Sequence, residues 1–235
     1  MARHGKRYQN LARLIDKTQK YALDEAVDLI QQTAAAGFDE TVEVAIRLGV
    51  NPGKGEETVR GSLTLPHGTG KTPRVAAFAK GEAATAAEQA GADRVGADDL
   101  IGEIEGGWDE FDILVAEAQM MRDVGRLGKK LGPRMPNKKA GTIAAHAEEL
   151  AAIIQELKAG RVEFKMDRAA ILHVPVGRAS FSKEQLVENI NALTGAVVRA
   201  RPAAAKGRFI VSIALSTTMG PSVKLDLADA LEQAA

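Results

Sequence analysis

The stretch LPHGTGKT, residues 65–72, holds the residue types of a phosphate cradle. Gly68 and Gly70 would let the backbone turn close to an anion, Lys71 would meet its charge and Thr72 would offer a hydroxyl. A loop of the Walker type needs two further things. One is a glycine five residues before the Gly-Lys pair; the other is a helix directly after Lys-Thr, with its free N–H groups facing the phosphates. The first position holds Leu65, at the end of an apolar alternation, and Pro73 with the strand-like RVAAF follows the second. Nucleotide hydrolysis at this stretch is therefore not expected. The glycines fit better as a crossing between two parts of the chain, with Lys71 left to touch a phosphate of some larger ligand.

Other catalytic constellations are thin. His4, His67, His146 and His173 have no metal-ligand spacing, and there is no cysteine to form a disulfide, a thiolate site or a nucleophile. No Gly-x-Ser-x-Gly elbow occurs. RVAAFAKGEAATAAE looks like the strand-to-helix opening of a dinucleotide-binding fold, but Gly81 is its one glycine where the fingerprint needs three. The expectation is a protein without catalytic residues, cofactor or metal. The rival, an NTP- or dinucleotide-dependent enzyme using the middle of the chain, lacks the glycines it would need.

The formal net charge is zero over 235 residues, yet the charges are segregated. The first 20 residues hold six Lys or Arg, Lys6 and Arg7 among them, against Asp16 alone. Residues 121–141 hold seven, including Arg126, Lys129, Lys130 and Arg134, against Asp123 alone. Between Glu82 and Glu117 lie eleven acids and only Arg94. Local blocks set the surface field, so the basic blocks could meet a polyanion while the acidic one faces away. No apolar run reaches the roughly 20 residues that span a bilayer, and the basic N-terminus is followed by no apolar h-region. A soluble cytoplasmic protein with no membrane partner is expected.

The elements that would position these residues fall into two textures. Residues 10–36 show helical spacing, and TVEVAIRLGV alternates, with Val42, Val44, Ile46, Leu48 and Val50 facing one way. TVRGSLTLP alternates again. After Lys71, short apolar strands (RVAAFAK, FDILVAEA) alternate with helices (GEAATAAEQAG, DDLIGEIEGG, EAQMMRDVGRLGK, TIAAHAEELAAIIQELKAG), the pattern of a parallel sheet covered on both faces. From Arg161 alternation returns. RVEFKMD and AAILHVPVG read as a hairpin, SKEQLVENINALTGAVVRA as a helix capped by Ser182, and GRFIVSIALSTT as a long strand. The economical reading is an α/β protein of two domains. Residues 1–68 and 161–235 form a discontinuous one, 69–160 an insert, and Gly68, Gly70 and Gly160 serve as hinge positions.

Two stretches do not look like core. Phe38 sits where a helix gives way to a strand, and Thr41 and Glu43 project from that strand's polar face. In STTMGPS, hydroxyls, a methionine, a glycine and a proline follow a long strand. Hydroxyls can bond ribose 2′-OH groups, Gly220 allows close backbone approach, and Met219 and Phe38 offer apolar surface to sugars or bases. That is the chemistry of RNA recognition by shape.

In order along the chain, GFDETVEVAIRLGV, VRGSLTLPHGTGK, KGEAATAAEQAGADRVG, GRLGKKLGPR, KAGRVEFK and STTMGPSVKLD resemble the large-subunit ribosomal protein L-one family, bacterial type, from about residue 3 to 226. The resemblance implies a discontinuous α/β sandwich with an inserted Rossmann-like three-layer α/β/α domain. It implies binding to large-subunit rRNA at the mobile stalk of the large ribosomal subunit, help in releasing deacylated exit-site tRNA, and repression of the chain's own operon mRNA. Off the ribosome a monomer is expected. Carried over by position, Phe38, Thr41 and Glu43 match one recognition block, and Ser212, Thr217, Thr218, Met219 and Gly220 match a second. His173, Gly177, Arg178 and Ser180 resemble a loop close to the same RNA. Lys6, Arg7, Arg126, Lys129, Lys130 and Arg134 are expected as secondary RNA contacts. The chain departs from the family at LGPRMPNKKAGT, two residues shorter than usual, and at Gly37, where a lysine is frequent; contacts there are expected to differ.

Overall fold

The computed structural model describes residues 5–233, so His4 lies outside it. Along the chain the elements are α1 (Lys6–Ala12), α2 (Leu23–Thr33), β1 (Thr41–Leu48), β2 (Arg60–Thr64), β3 (Val75–Phe78), α3 (Glu82–Gln89), β4 (Arg94–Gly96), α4 (Asp98–Gly106) and β5 (Ile113–Glu117). There follow α5 (Met121–Val124), α6 (Gly128–Leu131), β6 (Ile143–Ala144), α7 (Ala147–Lys158), β7 (Arg161–Lys165), β8 (Ile171–Arg178), α8 (Lys183–Arg199), β9 (Ile210–Thr217), β10 (Val223–Lys224) and α9 (Leu227–Glu232). Two compact units result. One comprises residues 1–70 and 161–235, and the other 71–160.

In the first unit β10, β9, β1 and β8 form one antiparallel sheet in that order. The alternation of β1 sets its two faces. Val42, Val44, Ile46 and Leu48 are buried, and pack with Leu23, Val27 and Ile30 of α2 and Leu186, Ile190 and Leu193 of α8 in one core. Thr41, Glu43, Ala45 and Arg47 face the other way, and among the described residues no element covers them with a buried cluster. Ser182 caps α8 reciprocally with Gln185, as the sequence predicts.

In the second unit β4, β3, β5 and β6 run parallel in that order. Every residue of β3 is buried because both faces are covered. Val75 and Ala77 pack with α3 and α7, while Ala76 and Phe78 pack with α4 and with Val124, Leu127 and Leu131 on the opposite face. This gives three layers, with α/β/α order.

Three expectations are corrected. The helix over 10–36 is two helices, because Asp16 accepts from the amide and hydroxyl of Thr18 and ties residues 16–18 into a local turn that competes with helix. The helix over 117–129 is a chain of short 3-10 and α turns, broken where Gly125, Gly128 and Gly132 recur. The hairpin of 161–178 does not form as a pair of laddered strands. β7 pairs with β2 in a separate two-stranded sheet, and β8 pairs with β1.

Candidate nucleic-acid interface

The first question is whether residues 65–72 could hold a nucleotide. Residues 71–74 after the glycines are irregular and lead into β3, so no helix N-terminus faces the stretch. Asn189, buried on α8, accepts from the His67 amide and donates to the carbonyls of Gly68 and Val176. Gly70 has φ +71, and a Cβ there would press on Arg178 and Phe181. The stretch is thus fastened to the first unit through Gly70. Lys71, Thr72 and Pro73 make no backbone hydrogen bond among the described residues. Of the expected hinge positions, Gly68 is a fixed end rather than a pivot. Gly160, at φ 96, closes α7.

The two recognition stretches lie side by side. Thr41 donates its amide to the Thr218 hydroxyl at 3.1 Å, and the Thr218 amide donates to the Thr41 carbonyl at 3.1 Å. Phe38 is 56 % exposed and Met219 48 % exposed, in a chain whose large apolar side chains are otherwise mostly buried. The two consecutive acids of GFDE hold them there. Glu40, 2 % exposed, accepts from the Ala36 amide at 2.9 Å and from the Met219 amide at 2.8 Å. Asp39 reaches the opposite way and accepts from the Ser180 amide at 3.1 Å and its hydroxyl at 2.7 Å. Arg178 donates to the Asp39 carbonyl and the Thr41 hydroxyl. Three loops are thereby joined by hydrogen bonds made within the protein.

Burial alone would raise the Glu40 carboxyl. The Met219 and Ala36 amides, the nearby Thr217 hydroxyl and the Arg7 charge more than offset it and hold the group below the usual glutamate range. A buried carboxylate is costly unless donors surround it, and here they do. Thr217 corrects an expectation: it is 4 % exposed, so its side chain serves this interior junction rather than the surface. Gly177 is likewise buried, and a Cβ on it would meet Leu186 and Phe181 at 2.9 Å each. Gly220 belongs to the same junction, where a Cβ would collide with the Thr217 hydroxyl.

From this junction the open face of the sheet runs along β1. Glu43 lies opposite Pro175 and Ser216, Ala45 opposite His173 and Ala214, and Arg47 opposite Ile171 and Ser212. From Thr41 to Arg47 the strip is about 20 Å long. Its middle is nearly flat because Ala45, Ala214, Pro175 and the two serines are small. His173 is exposed, with Asp167 3.8 Å from its Nε2, and Glu43 has no protein partner among the described residues. Lys6 and Arg7 lie exposed on α1, and Arg7 is near enough to influence Glu40. Arg126, Lys129, Lys130 and Arg134 belong to the other unit and do not form part of this strip. The sequence reading missed Asp39 and Glu40 as struts and Ser216 on the face; it placed Arg47 on the polar face but not among the site residues. The alternation of 41–47 carried the signal for Arg47; nothing in a row of two acids shows that each turns to a different neighbour.

Comparison with known proteins places the chain in a family. The profile described as Ribosomal protein L1p/L10e family matches residues 30–221. A large ribosomal subunit protein uL1 from Thermomicrobium roseum is 50% identical over 236 residues, covering 100% of this chain and 98% of the relative. Proteins of the same name from Solidesulfovibrio magneticus and Lactobacillus acidophilus are 52% and 48% identical over 228 residues, covering 96% of this chain and 96% and 98% of the relatives. With a matched profile over most of its length and relatives at half identity end to end, the chain belongs to the ribosomal protein L1p/L10e family, a family of ribosomal proteins and not of enzymes.

Proposed function

We propose that this chain is a structural protein of the large ribosomal subunit that grips large-subunit rRNA at the mobile stalk through the open face and loop junction of its first unit. It acts in the cytoplasm and is monomeric off the ribosome. The single observation that carries the reading is the junction itself. Phe38 and Met219 are exposed on loops that hydrogen bonds join, and Glu40 and Thr218 fix those loops from within. RNA that meets such a surface does not have to order it, so less of the contact energy is lost to conformational entropy. Thr218, Ser216 and Ser212 can exchange hydrogen bonds with ribose hydroxyls, while Phe38 and Met219 offer apolar area to sugars and unstacked bases. Arg47, His173 and Lys6 lie where phosphates can be met.

The finer roles extend from the same surface. A structured mRNA leader that reproduces the rRNA shape would compete for the junction, and the protein would then repress its own operon. The unbonded link Lys71–Pro73 and the left-handed Gly160 give the second unit freedom to move about the first, which suits a stalk that escorts deacylated tRNA out of the exit site.

The test is a gel shift with a stalk rRNA fragment at one stated salt concentration, since the phosphate contribution depends on ionic strength. Met219→Ala is expected to weaken binding about 5- to 10-fold with the melting temperature unchanged, and Thr218→Ala to weaken it by a similar factor with a small loss of stability, because the Thr41 amide loses its acceptor. Affinity equal to wild type for both would refute the assignment.

A further inference from the structure

The second unit has its own place for nucleic-acid chemistry, and it is not where its fold type usually binds ligands. Open parallel sheets hold ligands beyond the carboxyl ends of their strands. Here that crevice is lined by Glu82, Glu117 and Glu148 with Lys80 and His146, and Lys80 is already paired with Asp98 at 3.1 Å. Three carboxylates outnumber a paired lysine and one histidine there, which disfavours a phosphate.

At the opposite end of the sheet, just before β5, lies a cavity of about 270 Å³ lined by Ile104, Trp108, Phe111, Leu131, Lys130 and Arg134. Trp108 is half-buried, its ring centroid 5.4 Å from that of Phe111 and tilted by 43°. Its indole N–H donates to nothing among the described residues. Arg134 lies at the rim, exposed. Its guanidinium lies 5.4 Å from the Phe111 ring centroid and donates to the carbonyls of Asp109 and Phe111. Lys130 reaches back to the Glu105 carbonyl. Neither cation has a carboxylate partner among the described residues. On the far side of Trp108, Arg74 and Arg94 line a second hollow, but they are paired with Asp112 and Glu103.

We propose that the cleft between Trp108 and the Lys130–Arg134 turn takes one unstacked nucleobase of a single-stranded RNA segment, with Lys130 and Arg134 meeting the flanking phosphates. The inference rests on reading this chain as an RNA-binding protein, but on a different unit and different residues. The cavity is smaller than the usual range for small-molecule pockets, about 300–1,000 Å³, which suits one base and not a dinucleotide. An indole with a free edge donor beside unneutralised cations is the combination that stacks bases without strong sequence preference.

Trp108 is the chain's single tryptophan, so its emission reports on this cleft alone. The full-length protein is titrated with hexaadenylate, with a hairpin duplex of matched length and with AMP, reading tryptophan quenching alongside the anisotropy of labelled RNA. Hexaadenylate is expected to quench the emission by half or more, and the duplex to leave it unchanged. Lys130→Ala with Arg134→Ala, both exposed and leaving the reporter in place, is expected to raise the quenching Kd about tenfold. Trp108→Phe, which keeps a stacking face, is expected to retain most of the anisotropy-measured affinity, and Trp108→Ala to lose it. RNA that binds without quenching Trp108 would overturn the cleft while leaving the first unit's role intact. Quenching by AMP at lower concentration than by hexaadenylate would overturn the RNA assignment in favour of a free nucleotide.

Discussion

The two sheets of this molecule treat their faces in opposite ways. In the antiparallel sheet of the first unit, helices α2 and α8 cover one face and the other stays open along β1, β8 and β9. In the parallel sheet of the second unit, both faces are covered and all of β3 is buried. A face left open can become a binding surface about 20 Å long. A sheet closed on both sides has only its ends and connecting loops to offer, which is where Trp108, Lys130 and Arg134 sit. A large ligand read by shape belongs to the first arrangement, and a single inserted group to the second.

The largest effect should come from breaking the strut that holds the open surface in shape. Glu40→Ala strands the buried amides of Ala36 and Met219. It is expected to cost about 2–4 kcal/mol of stability by urea unfolding and, because both loops lose their fixation, to weaken rRNA binding roughly 100-fold in the gel shift. Loss of stability with RNA affinity preserved in the folded fraction would show that the loops do not need fixing. Gly220→Ala comes next. The added methyl collides with the Thr217 hydroxyl, so the turn must shift by a fraction of an ångström. About 1–3 kcal/mol of overpacking and roughly tenfold weaker binding are expected. Gly220→Ala combined with Thr217→Val keeps the crowding, whereas Thr217→Ala should relieve it and restore most of the affinity. A double variant no better than Gly220→Ala alone would place the cause elsewhere.

The same contrast explains what the sequence could and could not reveal. β1 was legible because one open face forces period-two alternation: Val42, Val44 and Ile46 inward, Thr41, Glu43 and Arg47 outward. β3 and β5 were legible as short apolar runs between helices, the mark of burial on both faces. Pairing was not legible where it depends on distant chain. Arg161–Lys165 alternates as a hairpin partner of β8 would, but its ladder is with Arg60–Thr64, a hundred residues earlier in the chain. The two candidate blocks were visible as residue types unlike core, yet the division of labour inside them was not. Thr217 and Thr218 are adjacent hydroxyls in the sequence, and the pleat sends the first inward and the second to the surface.

A smaller effect separates charge from shape at the strut. The Glu40 carboxyl is held below its ordinary value of 4.5. A depressed folded-state pKa means that its stabilisation is complete above that value and is lost as the pH falls through the lower folded one. Glu40→Gln keeps an acceptor but has no such charge to lose. The stability gap between wild type and Glu40→Gln should therefore narrow as the pH is taken from about 6 to about 3. Depressed carboxyls elsewhere, such as Asp93 and Asp167, are common to both proteins and cancel in the difference. A gap that stays constant would mean that Glu40 acts through its shape alone.

The smallest effect tests whether the two units share one RNA field. Lys129 is exposed on the second unit and has no ion pair among the described residues. Lys129→Ala is expected to change stability by less than about 0.5 kcal/mol. On the stalk rRNA fragment it should leave the slope of log affinity against log salt unchanged if, as proposed, the first unit alone grips that RNA. If Lys129 neutralised a phosphate of the same fragment, the slope would become shallower by about 0.9. Arg47→Ala, on the open face of β1, provides the contrast. It should flatten the slope by about that amount, and a change for Lys129→Ala equal to that for Arg47→Ala would show a single surface extending over both units.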